Sequence, residues 1–334
     1  MTLAQETIPP DEAETIQSLI EANLKTVWMQ GKTGKRGQHG KHHGLVDGMF
    51  RIRDDLPEGF AQGVFQPGRE YRCVVRFSNG EQRDDTENDV RGMAIKLLDV
   101  EGGKLLPGQG DTPEHDFLLI DFPTYFTATM ADYVAFNRYF TPIQDVRRNG
   151  KTPGRILRAV CGLSMLLLRH RDILKAAKTV AGRRVGSPLA LTYHSTTPYL
   201  LGPGQAVKYK AIGRTPDPGP TRDENGLGKA LWSTLAAGPA QFDFGIVLQS
   251  DPSAHPIEDP TVDWEKNGAS FVPIAELTLS QQSNSPEKAV LAETSRFNPW
   301  MSLPAHRPLG YINRARREIY RAMSALRHRK TQQD

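Results

Sequence analysis

Cysteine is scarce in this sequence. There are two in 334 residues: Cys73 alternates with apolar residues, and Cys161 sits in a helical apolar patch. Two isolated thiols exclude a disulfide scaffold and favour a reducing compartment, so a cytoplasmic protein is expected. No Cys/His spacing suggests a zinc site. Long apolar runs are also lacking. The longest, Ala159–Leu168, is about half of a membrane span, and stable membrane insertion is not expected. The first twenty residues have no basic stretch leading into an apolar core, so no signal peptide is expected. A large excess of one charge is missing too. The net charge of +4 comes from scattered arginines, which argues against nucleic acid as a partner. Repeats, low-complexity tracts and linkers are absent. The expected division is an N-terminal helix and arm over 1–40 and a single domain over 41–334.

What is present reads as a soluble globular chain, with 38% hydrophobic and 24% charged residues. Apolar spacing predicts a helix over Asp11–Met29, followed by a loop rich in glycine and lysine. From Asp47 the period becomes two. Strands are predicted over Gly48–Arg53, Tyr71–Asn79, Met93–Val100, Asp116–Asp121, Ala206–Ile212, Phe242–Gln249 and Phe271–Leu279. Seven or eight strands in about 230 residues suit a closed antiparallel barrel without exposed edges. Pro142–Val185 reads as a basic, helix-rich insertion, and Gly310–Arg329 as an arginine-rich helix.

Four segments carry candidate chemistry. Lys41–Phe50, KHHGLVDGMF, holds paired histidines before a strand. In Cys73–Gly80, CVVRFSNG, Arg76 and Ser78 share one strand face. If that face is the barrel interior, something polar must meet them there. An outward-facing pair is the alternative. Arg83–Leu97, RDDTENDVRGMAIKL, is a turn leading into a strand. In Ala315–Arg327, ARREIYRAMSALR, helical spacing puts Arg316, Tyr320 and Arg327 on one face. A guanidinium beside a phenol favours the phenolate.

In this order the four segments resemble the haem catalases, over about Lys41–Arg329. Val75, Arg76, Phe77 and Ser78 match that family's strand. Asp85, Thr86, Asp89, Arg91 and Gly92 match its third motif, with Val90 where proline is usual. Arg316 and Tyr320 match its proximal Arg-x-x-x-Tyr. HHGLVDGMF, RGMAIKL and RFNPW look like a short bacterial catalase-like branch of it. The resemblance implies an α+β fold, an eight-stranded antiparallel β-barrel with surrounding helices, and haem b with Tyr320 as axial phenolate. It further implies His43 as the distal acid/base, preferred to His42 on spacing to Gly48 and Phe50, with Ser78 orienting it. Arg76 and Arg327 fall at propionate-binding positions, and Phe126 beside the cofactor.

One departure bears on activity. Aligned on Asp116 and Pro123, the family's distal asparagine falls at Asp121, and an ionised carboxylate accepts hydrogen bonds but donates none. Asp121 is then protonated, turned away or a second catalytic base, which is compatible with peroxidase or peroxygenase chemistry and weakens the case for rapid disproportionation of hydrogen peroxide. An insertion, GGKLLPGQGDTPEH, precedes this strand and is expected to reshape the distal channel. A small peroxide is the implied substrate and a homodimer the implied assembly. Three readings stay open: a haem-dependent peroxidase, including one for organic or lipid hydroperoxides; a haem-binding or haem-carrying protein with little turnover; and a barrel without haem.

Overall fold

The computed structural model describes residues 2–29, 39–81, 84–106, 108–169 and 184–331. Its centre is a barrel of antiparallel strands. β1 (His42–Ile52), β2 (Glu70–Asn79), β3 (Arg91–Leu98) and β4 (Glu114–Ile120) form consecutive antiparallel pairs. β7 (Ala206–Gly213), β8 (Ala240–Leu248) and β9 (Phe271–Leu279) complete the wall, and β9 returns to pair with β1. The ring closes through β5 (Thr192–His194), which bonds β4 at one pair, Ile120 with His194, and β7 at three. β6 (Tyr199–Leu200) adds a short strip beside β7. Eight strands therefore close the barrel, as expected from the sequence. β5 is the one that the two-residue period did not reveal, because three residues are too few to display alternation.

Alternation fixes what lies inside. Val46, Phe50 and Ile52 from β1 meet Cys73, Val75 and Phe77 from β2 and their counterparts from the other strands in one buried core. Its centre is aromatic. Phe50, Phe65, Phe117, Tyr209 and Phe244 contact one another with centroids 4.9 to 6.3 Å apart. Two histidines are embedded there, His115 and His306, with rings 5.2 Å apart. The His306 Nε2 accepts the Val64 amide at 3.0 Å, and its Nδ1 lies 3.2 Å from the Tyr209 hydroxyl. Burial lowers the pKa of His306 to about 4 and that of His115 well below its ordinary value, so both are neutral spacers in an apolar core.

Helices cover the wall. α1 (Glu12–Met29) packs on the terminal helix; α2 (Met130–Asn149) and α3 (Pro153–Arg169) pack on each other. α4 (Gly226–Ala237) and α5 (Pro286–Thr294) lie on β1, and α6 (Tyr311–Thr331) closes the chain. α6 is anchored by charge: Arg314 is clasped by Glu6, Glu12 and Glu258, and Glu6 also receives the Gly310 amide at 2.9 Å. The segment RFNPW is seated on β4, where the Asp116 carboxylate accepts the Asn298 amide at 2.8 Å and the Lys96 ammonium at 2.8 Å. No helix among the described residues is long and apolar enough to cross a membrane.

Candidate active site

Arg76 and Ser78 lie on the outer face of the wall, since Val75 and Phe77 take the interior. The alternative in which both point into the barrel is thereby corrected: the apolar neighbours claim the inside. The Arg76 guanidinium donates to the Ala292 carbonyl of α5 at 2.8 Å and to the His39 carbonyl at 3.0 Å. It is buried, and the propionate-binding role that the resemblance implies for it is untested by these contacts.

Ser78 does have an imidazole partner, but that partner is His39. Its Nδ1 lies 3.0 Å from the Ser78 hydroxyl. The His39 amide donates to the Gly80 carbonyl at 2.7 Å, and its own carbonyl receives Arg76. With φ at 54°, His39 occupies the left-handed region that side chains other than glycine seldom adopt, and these contacts hold it there. Gly92, the glycine of the RGM motif, makes the room: a β-carbon on it would lie 2.7 Å from the His39 Nδ1 and 2.9 Å from the Ser78 hydroxyl.

His43 sits elsewhere. The β1–β2 register shifts between His42 and Gly44, which makes His43 a bulge residue and turns it into a buried network. The His43 Nε2 lies 2.9 Å from the Asn79 Oδ1, and its Nδ1 is 3.8 Å from the Asp85 Oδ2. Asn79 donates to Asp85 at 2.9 Å and accepts Arg91 at 2.7 Å; Asp85 also takes the Leu227 amide and the Lys41 ammonium. Burial pushes the pKa of His43 down to about 4 despite the opposing pull of Asp85. Gly44 is required because Trp232 of α4 packs over it while donating to the His43 carbonyl at 3.0 Å. The KHHG and RDDTEND motifs thus tie the barrel end to α4. Asp89 serves the same turn, accepting the Glu81 and Val90 amides.

Asp121 is buried, and its Oδ1 accepts the Arg91 amide at 2.7 Å while its amide donates to the Arg91 carbonyl at 2.9 Å. The carboxylate is therefore used to fix the strand that carries Gly92. The GGKLLPGQGDTPEH insertion lies at the opposite end of the β3–β4 hairpin. Ser78 pairs with Gly92, whereas the insertion joins Leu98 to Glu114 and bonds Ser302. It does not reach the His39 end, contrary to the expectation that it reshapes a distal channel.

From Asp121 the chain runs through Tyr125 and Phe126 to Thr127, whose carbonyl accepts the Tyr311 hydroxyl at 2.9 Å at the start of α6. One short loop thus links the end of β4, paired with the strand beneath His39, to the helix carrying Arg316 and Tyr320. Phe126 stacks on Tyr125 and packs on Phe136 of α2, with centroids 4.4 and 4.6 Å apart. Around Arg316 stand the phenols of Tyr320, Tyr199, Tyr125 and Tyr133. Burial works against the charge of Arg316, yet these phenols outweigh it and raise its pKa. Burial also keeps two of them protonated: Tyr199 is pushed up to about 12 and Tyr125 well above its ordinary value. The hydrogen bond described for Arg316 goes to the Asn313 Oδ1, a weak one at 3.4 Å. Among the described residues, no carboxylate pairs with it. Arg327 lies on the same helix, but its side chain is outside the described residues. No group of three or more His, Cys, Asp or Glu among the described residues could hold a metal ion.

No family model and no curated protein matches the sequence. Solved structures do. The chain is similar to a fungal catalase (16% identity, TM-score 0.64), a bacterial catalase (17%, 0.65) and catalase A from Saccharomyces cerevisiae (15%, 0.64). The matches take in 92, 97 and 98% of this chain and 61, 62 and 67% of those catalases, so the chain spans roughly three-fifths of their length. The fold is catalase-like, in agreement with the resemblance drawn from the motifs.

Proposed function

We propose that this chain binds haem through Tyr320 and handles peroxides beside His39. The observation that carries the reading is Arg316, a guanidinium set among phenols with no described carboxylate against it. Such a cation favours an anionic oxygen nearby, and the phenol of Tyr320 lies one turn along the same helix. This donor set fits an iron porphyrin whose single protein ligand is a phenolate oxygen. When bound, haem b would supply the iron at which a peroxide is activated.

The remaining work falls to the chain's own side chains. Tyr320 would hold the iron, and Arg316, one helical turn before it, would stand beside that ligand as a cation. Arg327 would meet a propionate as a planar, bidentate donor. Phe126 belongs to the aromatic group that shields Arg316 from water. His39, with Nδ1 engaged by Ser78, would accept a peroxide proton at Nε2 and return it to the departing oxygen. This role replaces the one implied for His43. Asp121 holds the Arg91 amide through Oδ1; as a carboxylate it would accept from a peroxide but not donate to it, which favours peroxidase turnover over rapid disproportionation. That same feature supports the second reading, a haem-binding or haem-carrying protein with little turnover.

Reconstitution with haem tests both. A Soret band with a phenolate-to-iron charge-transfer band is expected, and Tyr320→Phe should abolish the latter and loosen haem. An unchanged spectrum in Tyr320→Phe removes the ligand assignment. Oxygen release from hydrogen peroxide, set against dye oxidation by cumene hydroperoxide, separates catalase from peroxidase. Inactivity in both assays leaves the carrier.

A further inference from the structure

α3 departs from the surface chemistry of the rest of the molecule. Taking about 100° per residue, Leu163, Ile156, Val160, Leu157 and Leu168 fall within an arc of about 140° that contains no charged side chain. They are 42 to 73% exposed, and α3 holds more than half of the large apolar side chains that the described residues expose. The opposite side is spoken for. A β-carbon on Gly162 would come within 2.4 Å of the Tyr139 carbonyl of α2, and Arg155 bonds Asp145 at 3.3 Å. Close packing against α2 thus turns the apolar arc outward. Scattered single leucines need no explanation, but a continuous stripe on one helix marks a surface that meets something.

Charge says what it meets. Residues 145–184 contain eleven Lys and Arg against two Asp, giving +9 in forty residues, whereas the remainder of the chain carries −5. A second copy joined through this face would bring two +9 segments together, which long-range repulsion opposes. An anionic surface with an apolar layer beneath satisfies both properties at once. At 17 residues α3 is about 25 Å long and lies along such a surface without crossing it.

We propose that the outward face of α3 seats in the interface of an anionic lipid bilayer. Leu157, Val160 and Leu168 enter the boundary between headgroups and acyl chains, and the exposed Lys151 and Arg158 meet the headgroups. The proposal is independent of haem. Its test is co-sedimentation of the full chain with phosphatidylcholine vesicles, with and without phosphatidylglycerol, and sedimentation velocity without lipid. Binding to the anionic vesicles is expected, weakening as salt is added. The double variant Leu157→Glu/Leu168→Glu should weaken binding more than about tenfold with an unchanged melting curve. The milder Leu157→Ser/Val160→Ser keeps the test valid should the first fail to fold. Failure to bind, equal binding to neutral and anionic vesicles, or undiminished binding by a folded variant overturns the proposal. So does a dimer that the variants dissolve, which would make the face a contact between copies.

Discussion

His39 and His43 lie four positions apart, and the β1–β2 seam puts them to opposite uses. His39 stands outside the wall, half-buried, held by main-chain bonds and one hydroxyl. His43 is buried in a network with an aspartate, an asparagine and an arginine. The first arrangement orients an imidazole; the second uses one as a polar brace. A histidine available for proton exchange needs a partner that fixes its tautomer and a position that something else can approach. His39 has that arrangement, whereas His43 is enclosed.

The sharpest way to break the comparison is at Asp85. This carboxylate accepts from Asn79 and Leu227 and pairs with Lys41, so Asp85→Ala leaves several donors facing an apolar gap. A loss of about 3–5 kcal/mol in stability is expected, read by chemical denaturation. His43→Ala removes a ring from the same network and should cost about 2 kcal/mol. Haem-loaded His43→Ala that remains folded should keep its peroxide reactivity. His39→Ala should do the reverse, with stability changed by less than about 1 kcal/mol and reactivity lost by about a hundredfold or more. If His43→Ala is the silent one in activity and His39→Ala is silent as well, the proton-transfer role belongs to neither.

Acidity probes the buried network of His43 through a smaller effect. The folded pKa of His43 is lowered to about 4 from an ordinary 6.5, as is that of His306. Between those values the unfolded chain binds protons that the fold refuses. The stability these residues contribute is therefore complete above pH 6.5 and is lost as pH falls toward 4. Asp116 acts oppositely. Burial raises its pKa to about 6, so the folded protein takes up that proton first on acidification and part of the slope is offset. Melting curves from pH 7 to 4 should show stability falling with acidity. His43→Gln should flatten the decline; a His43→Gln protein with the parental slope contradicts the buried, neutral histidine.

Much of this architecture was legible in the sequence because barrel strands write their period plainly. Phe50, Val75, Ile95 and Phe117 each have a polar or exposed neighbour on at least one side, and turns separate the runs. The helix face shared by Arg316 and Tyr320 was legible for the same reason, since i and i+4 are adjacent on any helix. The pairing of His39, rather than His43, with Ser78 was not. Spacing back from Gly48 selects His43 only if the strand begins near Gly48, yet β1 begins at His42 and carries a bulge at its start. A bulge reverses which side a residue faces, and no local pattern announces it. The available signal was spatial complementarity. Ser78 needs a partner on the outer face, and Gly92, opposite it in the register, leaves room for a ring.

That complementarity is testable at Ser78, where the smallest change in stability is expected. The hydroxyl contributes one hydrogen bond to a half-buried imidazole, so Ser78→Ala should cost no more than about 1.5 kcal/mol. Function responds differently, because the bond selects which nitrogen carries the proton rather than how tightly the chain folds. Without it the His39 Nδ1 loses the bond that favours one tautomer, although its backbone stays fixed by Gly80 and Arg76. The haem-loaded variant should therefore retain its Soret spectrum and react with peroxide about tenfold more slowly. Ser78→Thr, which keeps the hydroxyl, should restore most of the rate. A Ser78→Ala protein as fast as the parent would show that the wall around Gly92, and not the serine, orients His39.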